Sequence, residues 1–181
     1  MAQTNTATEF DEMIAICRSL FLKKTKDYGT AWRILRPSSI TDQIFIKAQR
    51  IRTLEETKVN KVGEDVRSEY IGIINYCVIG MMQLELTAND PNELPYEQVK
   101  DIFDARVQET KELMFAKNHD YGEAWRDMRI SSLTDLILMK IFRVKQIEDN
   151  EGQTLASEGV KANYQDMLNY SVFALIKLGV K

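Results

Sequence analysis

The chain of 181 residues carries 24 Lys and Arg against 27 Asp and Glu, which gives a net charge of −3 and a pI near 5.4. Such an acidic chain lacks the broad basic face that binding along a nucleic-acid backbone requires, so any anion site is expected to be local. Its 44% hydrophobic content is enough for a core of one large domain or two small ones.

The amino-terminal end and the two cysteines favour a cytoplasmic location. Met1 to Glu9 is polar and lacks the basic and apolar segments of a signal peptide. Cys17 and Cys77 have no spacing that is typical of a zinc site or a redox pair. The most apolar stretch, Tyr70 to Leu86, contains polar residues and is short for a membrane crossing of about 20 residues. It predicts a buried helix.

The first predicted element is a helix from Phe10 to Lys26, where apolar residues recur at three- and four-residue intervals. It leads into Asp27-Tyr28-Gly29, and this glycine stands where helices commonly end on a left-handed residue. We therefore expect the motif to turn the chain. Trp32 follows closely and is expected to lie mostly buried beside the turn.

The same motif occurs twice, at an offset of 93 residues. Asp27-Tyr28-Gly29-x-Ala31-Trp32-Arg33 returns as Asp120-Tyr121-Gly122-x-Ala124-Trp125-Arg126. From Asp27 to Arg50, 14 of 24 positions are identical to their counterparts in the second copy. One extra residue then enters that copy, so that Tyr70, Asn75 and Tyr76 align with Tyr164, Asn169 and Tyr170. The chain is therefore an internal duplication, in which Tyr96 to Asn118 predicts the counterpart of the first helix.

A second and a third helix are predicted after the turn in each copy. Ser39 and Ser132 resemble helix N-caps, because each precedes an apolar series and has an acid three residues on. These acids are Asp42 and Asp135. The third helices, from about residue 64 to 86 and from about 157 to 178, are strongly apolar and are expected to be central to the core.

The turn-forming segment Thr87 to Pro95 separates the copies, so the first helical repeat is expected to cover residues 1–90 and the second residues 91–181. About three helices per copy cannot bury all their apolar faces alone. The sequence predicts an all-α fold in which two similar helical units pack as a pseudo-two-fold bundle and form one compact body.

Charged residues that persist in both copies are the main functional signal, because a hydrophobic core does not by itself require them. Asp42 and Arg50 lie on one face of the second helix, with Lys47 next to them. Guanidinium groups bind phosphate oxygens in pairs, and ammonium groups act as compact charges. The predicted substrate or anion site consists of Arg33, Lys47, Arg50, Arg126, Lys140 and Arg143. Tyr28, Tyr121, Trp32 and Trp125 offer flat surfaces on which a base can stack.

A structural interpretation of the same residues stays open. Asp42 and Asp135 are suited to helix starts, and the basic residues are suited to ion pairs with Glu55 or Glu148. The Trp residues are equally suited to anchoring the core, and Asp-Tyr-Gly to ending a helix. Conserved spacing between the copies does not separate these hypotheses.

A metal site has weaker support. Glu69 and Asp166, on the third helices, are weak candidate ligands, and bound Mg²⁺ is left open. Neither acid repeats, because Glu69 aligns with Asn163 and Asp166 with Gly72. The alternative is that they are ordinary polar residues of a buried helix. Catalytic residues stay unknown, since no Ser/His/Asp set, Cys/His set or glycine-rich phosphate loop is evident.

The order of these motifs resembles the nucleotide modification associated domain, first type, over nearly the whole chain in two tandem copies. The matching positions are Asp27, Tyr28, Gly29, Trp32, Lys47 and Arg50, and Asp120, Tyr121, Gly122, Trp125, Lys140 and Arg143. The resemblance implies an all-α unit from bacterial and phage proteins that is connected with nucleotide or modified-base metabolism. It supplies no established catalytic residue.

The helical layout is also similar to that of the all-α nucleoside triphosphate pyrophosphohydrolases. Those enzymes hold magnesium with Glu-x-x-Glu on one helix and Glu-x-x-Asp on the next. Here the Glu-x-x-Glu segments are not equivalent between the copies, and the chain contains no Glu-x-x-Asp. Kinship of fold is expected, but the same chemistry is not.

Two functions from different classes follow. The first is a protein that binds a nucleotide, a nucleotide derivative or another phosphorylated small molecule, and whether it is also an enzyme acting on that molecule is left open. The alternative is a non-catalytic helical interaction module, whose repeated polar residues hold the copies together. No membrane partner is expected, and a homo-oligomer is left open.

Overall fold

The computed structural model describes residues 5–61, 63 and 65–179. These residues form six long helices and no strand, so the predicted all-α fold is confirmed. The helices are α1 (Thr6–Tyr28), α2 (Pro37–Thr57), α3 (Val66–Glu85), α4 (Tyr96–Tyr121), α5 (Ile130–Asp149) and α6 (Val160–Leu178). Short 3₁₀ turns, Ala31–Ile34 and Ala124–Asp127, join the first and second helix of each copy. Glu64, near the predicted start of the third helix, lies outside the described residues.

Each Asp-Tyr-Gly motif ends a helix, as predicted, but the glycine is not in the left-handed helical conformation. Gly29 has φ 65° and ψ −143°, and Gly122 has φ 61° and ψ −150°. This combination of angles is essentially restricted to glycine. The Glu93 carboxylate also occupies the space that a side chain on Gly29 would need. The repeated glycine therefore serves the turn itself.

The predicted N-caps at Ser39 and Ser132 are wrong. Helix α2 begins at Pro37, so that Ser39 lies within the first turn, and Arg36 is the extended residue before the helix. Proline suits this first helical position because its φ is already helical and its missing N–H has no helical acceptor there. In the second copy Arg129 precedes the helix in the same way.

The third helices form the centre of the molecule, as their apolar sequences predict. Helix α3 packs against α6 from the other copy and against α2 from its own, while α6 packs against α5. The side chains of Tyr70 and Tyr164 are fully buried here. None of the described helices is long and apolar enough to cross a membrane.

Two reciprocal polar networks join the copies. The hydroxyl of Thr134 lies 2.7 Å from the hydroxyl of Tyr70 and 2.8 Å from a carboxylate oxygen of Glu55. At the equivalent positions, Thr41 lies 2.8 Å from Tyr164 and 2.7 Å from Glu148. Contacts in which each copy gives the same residues to the other are characteristic of a two-fold relation. The predicted pseudo-two-fold packing is therefore confirmed.

The repeated acids of the second helices belong to this interface. Asp42 pairs with Lys145 at 3.3 Å, and Asp135 pairs with Arg52 at 3.7 Å. Lys145 and Arg52 are equivalent positions in the two copies, so this contact is reciprocal too. The Asp42 and Asp135 carboxylates, each about three-fifths exposed, thus have a role in packing.

The half-buried glutamates of these networks, Glu55 and Glu148, predict a specific dependence of stability on pH. Burial raises the pKa of both Glu55 and Glu148, and the hydrogen bond from threonine only partly opposes it. Because the folded state holds these protons more tightly than the unfolded state, stability from this source is complete below about pH 4 and is lost as pH rises through the raised pKa values.

The Glu55→Gln, Glu148→Gln double variant is therefore expected to unfold at a higher temperature than the wild type at pH 7. The neutral amides keep an acceptor for each threonine and remove the buried charge. Thermal unfolding followed by circular dichroism should show this difference shrinking as the pH falls to about 4. A difference that is the same at every pH would contradict the assignment to these carboxylates.

Candidate functional site

The residues shared by the two copies converge on a cavity in the first copy. The cavity has a volume of about 670 Å³ and lies between α1, the first 3₁₀ turn, α2 and α3. Its lining includes repeated residues of the Asp-Tyr-Gly turn, of the second helix and of the third helix. These are Tyr28, Gly29, Trp32, Lys47, Asn75 and Tyr76. Residues that are distant in sequence thus form one wall, which makes this cavity the candidate site.

Aromatic residues line the cavity at different depths. Trp32 is only 8% exposed and packs beside its turn, as predicted, whereas Tyr28 is 57% exposed. Partial burial raises the pKa of Tyr28, and the nearby Tyr76 and Asp27 add to the effect, so the phenol stays neutral at pH 7. The ammonium of Lys47 lies 5.9 Å from the centre of the Tyr76 ring. The site therefore offers an accessible aromatic face and a cation.

Lys47 and Arg50 share one carboxylate, but not equally. Nη1 of Arg50 lies 2.8 Å from Oε1 of Glu69, whereas Nζ of Lys47 lies 3.6 Å from Oε2. Arg50 also donates to Asn60 at 3.3 Å and is not among the residues that line the cavity. Arg50 therefore holds Glu69, while Lys47 is at the cavity wall. Cations occupy both oxygens of this candidate metal ligand.

Lys24 is a second cation at the cavity and was not predicted from the sequence. It is exposed on α1, lines the cavity, and has no ion pair within the described part of the chain. Lys24 aligns with Lys117 at the same offset as the repeated motif. The identity lies three residues before Asp27, so a comparison begun earlier along α1 would have found it.

In the second copy, the lysines equivalent to Lys24 and Lys47 both contact an acid. The carboxylate of Asp166, only 6% exposed, lies 2.6 Å from Lys117 and 2.7 Å from Lys140. Burial acts to lower the pKa of Lys117, but the bond to Asp166 and its charge outweigh burial, so the pKa is raised. Phe173 stacks on Trp125, with 4.3 Å between the ring centroids. In the second copy, Asp166 and Phe173 thus occupy the region that corresponds to the cavity of the first copy.

Comparison with known families decides the identity of both copies. The family model described as nucleotide modification associated domain 1 matches residues 24–84 and 117–178, which is more than half of the chain. The chain belongs to this family. The matched segments begin at Lys24 and Lys117 and end in the third helices, so they contain the candidate site and its counterpart. Searches of curated proteins and of solved structures give no match.

Two arginines of the repeated Asp-Tyr-Gly-x-Ala-Trp-Arg sequence lie away from the cavity. Arg33 donates to the carbonyl oxygens of Thr87 and Asp90, at 3.0 and 3.2 Å, and so fastens the segment between the domain copies. Arg126 pairs with Glu9 at 2.5 Å and with Glu123 at 3.3 Å. The structure therefore does not bring Arg33 to Lys47, or Arg126 to Lys140, and both arginines stabilise packing.

The repeated Asn of the third helix also has a structural partner in each domain copy. Nδ2 of Asn75 donates to the carbonyl oxygen of Cys17 at 3.1 Å, and Nδ2 of Asn169 donates to that of Thr110 at 3.4 Å. Cys17 and Thr110 are equivalent positions on α1 and α4. Each Asn thus ties the third helix of its copy to the first.

Arg143 differs from its counterpart Arg50. It is exposed, because the partner acid Glu69 is replaced by Asn163 in the second domain copy. Together with Lys140 it borders a second cavity of about 710 Å³, between α5 and the start of α6. The Lys140 ammonium is bound to Asp166, so the second cavity lacks the open lysine pair of the first, and Phe142 is the aromatic residue among those that line it.

The other motif residues of the second copy, Asp120, Tyr121 and Gly122, are exposed at the end of α4, and Asp27 is exposed in the first copy. Among the residues that the structure describes, no group of three or more His, Cys, Asp or Glu side chains could hold a metal ion. Asp166, the other candidate ligand, is enclosed by two lysines.

Proposed function

We propose that the first domain copy binds a nucleotide or a nucleotide derivative in the cavity beside its Asp-Tyr-Gly turn. The observation that carries this proposal is the convergence of the repeated residues on one cavity that also holds Lys24 and Lys47. Its volume of about 670 Å³ is within the usual range for sites of small molecules, about 300–1,000 Å³.

The residues at the wall suit the two chemical parts of a nucleotide. Lys24 and Lys47 provide positive charge for a phosphate, and neither is held by a short ion pair within the described residues. Tyr28 provides an exposed aromatic ring on which a base can stack. Apolar residues of α1 and α3, including Phe21 and Ile79, form the deeper wall.

The family description, which refers to nucleotide modification, agrees with this class of ligand. The proposal also includes a cytoplasmic location, where nucleotides are abundant. Cys17 and Cys77 are free, buried thiols, and burial raises the pKa of Cys17 to about 12, so neither is a reactive thiolate.

A thermal-shift screen with nucleoside mono-, di- and triphosphates, with and without Mg²⁺, tests the proposal. A ligand at about 100 times its Kd is expected to stabilise the protein by about 2.7 kcal/mol. The Lys24→Met variant should bind the best ligand about 10-fold more weakly or worse, because a charge-assisted contact is lost.

Lys23→Met is the matched control. It removes the same charge from the neighbouring position of α1, and Lys23 does not line the cavity. It should leave the Kd within about 2-fold of the wild type, since an exposed charge at a distance is screened by salt. Equal losses of affinity in the two variants would show that Lys24 contributes only long-range electrostatic attraction and no direct contact with the ligand.

The alternative function, a non-catalytic helical interaction module, is favoured by one observation. Thr41, Thr134, Asp42 and Asp135 all serve contacts between the copies. Part of the repeated pattern is therefore explained by packing alone. A complete screen in which no phosphorylated compound raises the unfolding temperature would favour this alternative.

A further inference from the structure

One substitution between the domain copies separates an open lysine pair from a closed one. Gly72 on α3 is the position equivalent to Asp166 on α6. In the second copy the Asp166 carboxylate binds Lys117 through one oxygen and Lys140 through the other. In the first copy the equivalent lysines, Lys24 and Lys47, remain at the cavity, and Gly72 has no side chain to place between them.

We propose that Asp166 marks the position of the acidic group of the ligand, and that Lys24 and Lys47 hold a phosphate in the first copy where Lys117 and Lys140 hold this carboxylate in the second. This inference rests on the proposed function and deepens it. It assigns the phosphate end of the ligand to one place in the cavity and makes the first copy the binding copy.

The surroundings of Gly72 fit an acidic group of the ligand. Lys47 lies directly against this glycine, because a Cβ built there would stand 2.7 Å from Cε and 3.0 Å from Nζ of Lys47. The flexible end of Lys47 therefore fills the space beside Gly72 and has to turn aside for an acidic group to enter it. Glu69 also lines the cavity, and its carboxylate is held at 2.8 Å by Arg50, which offsets its charge. Lys47 is therefore left with one long contact of 3.6 Å and can take a second anionic partner.

The same comparison shows why the second copy is closed. Asp166 satisfies both lysines with short bonds, so an incoming phosphate would meet a carboxylate already in place and be repelled. The ring of Phe173, at the position of Ile79, lies flat on Trp125 and fills further space. The acid replaces a glycine of the first copy, and the aromatic ring replaces an isoleucine.

Exchange of the acid between the copies tests the inference. The Gly72→Asp variant requires the flexible end of Lys47 to move aside, so circular dichroism first checks that it folds. It should bind a nucleoside 5′-monophosphate about 10-fold more weakly or worse than the wild type. The Gly72→Asn control adds nearly the same volume without charge and should retain more of the affinity. The Asp166→Ala variant should unfold at a lower temperature in chloride and regain stability in inorganic phosphate at equal ionic strength.

The probes are inorganic phosphate, nucleoside 5′-monophosphates and the corresponding nucleosides, all followed by thermal shift and calorimetry. Equal phosphate affinity of the wild type and Gly72→Asp, with nucleotides still bound, would overturn the inference and leave the proposed function intact. A second outcome is that the wild type binds phosphate and Gly72→Asp does not, while the wild type binds nucleotides no more tightly than phosphate alone. This outcome would support the inference and overturn nucleotide binding. If neither phosphate nor any nucleotide binds the wild type, both are overturned.

Discussion

Truncation of Trp125 to Ala is expected to lower the free energy of unfolding by about 5 kcal/mol, at the upper end of the cost of removing a buried tryptophan. The side chain is 6% exposed and stacks on Phe173 with an angle of 6° between the rings. The guanidinium of Arg126 lies over its other face, 4.4 Å from the ring centre. Both faces therefore lose partners in the variant. Denaturant unfolding at pH 7 measures the loss.

Trp32 is the natural comparison because it occupies the equivalent position. One part of its surface borders the cavity, so Trp32→Ala is expected to lose about 3 kcal/mol, the lower end of the same range. Trp125→Phe is the control for shape, since it keeps an aromatic ring on Phe173 and removes a buried N–H without a hydrogen-bond partner in the described structure. A loss below about 1 kcal/mol for Trp125→Ala would show that the ring does not anchor the second copy.

The repeated turn shows which part of the fold can be predicted from sequence. Gly29 meets a local requirement for a positive φ, and Trp32 meets one for a large buried side chain. Both requirements can be recognised from the neighbouring residues in the sequence. Comparison of the two copies then strengthens the prediction, because the turn is preserved while neighbouring surface residues change. The helix order and the burial of the tryptophans followed from these local signals.

The partners of the charged residues could not be predicted in the same way. Arg33 and Lys47 have equal charge and equal persistence, but Arg33 contacts the segment between the copies and Lys47 faces the cavity. Only the packing of α2 against α3 and of the copies against each other determines these directions. Sequence identity between copies marks a shared requirement, and Asp42 shows that this requirement can be an ion pair across the interface.

The lysine pair of the second copy is expected to be structural, whereas that of the first is not. Lys140→Met should lower the free energy of unfolding by about 3 kcal/mol, the lower end of the cost of breaking a buried ion pair. It leaves Asp166, whose side chain is 6% exposed, with Lys117 alone, and 43% of that lysine side chain is exposed. Lys47→Met should lose less than about 1 kcal/mol, because Glu69 keeps its 2.8 Å bond to Arg50.

The Lys140→Met, Asp166→Leu double variant separates loss of the ion pair from loss of lysine packing. Removing the acid as well leaves Lys117 free to turn towards solvent and fills the position with an apolar side chain, so most of the lost stability should return. The two changes would then be strongly non-additive in denaturant unfolding, as expected for residues in direct contact. If the double variant were less stable than Lys140→Met alone, the buried carboxylate would not be the source of the instability. The Lys140 side chain would then matter for its packing, and the contrast between the copies would not lie in their charges.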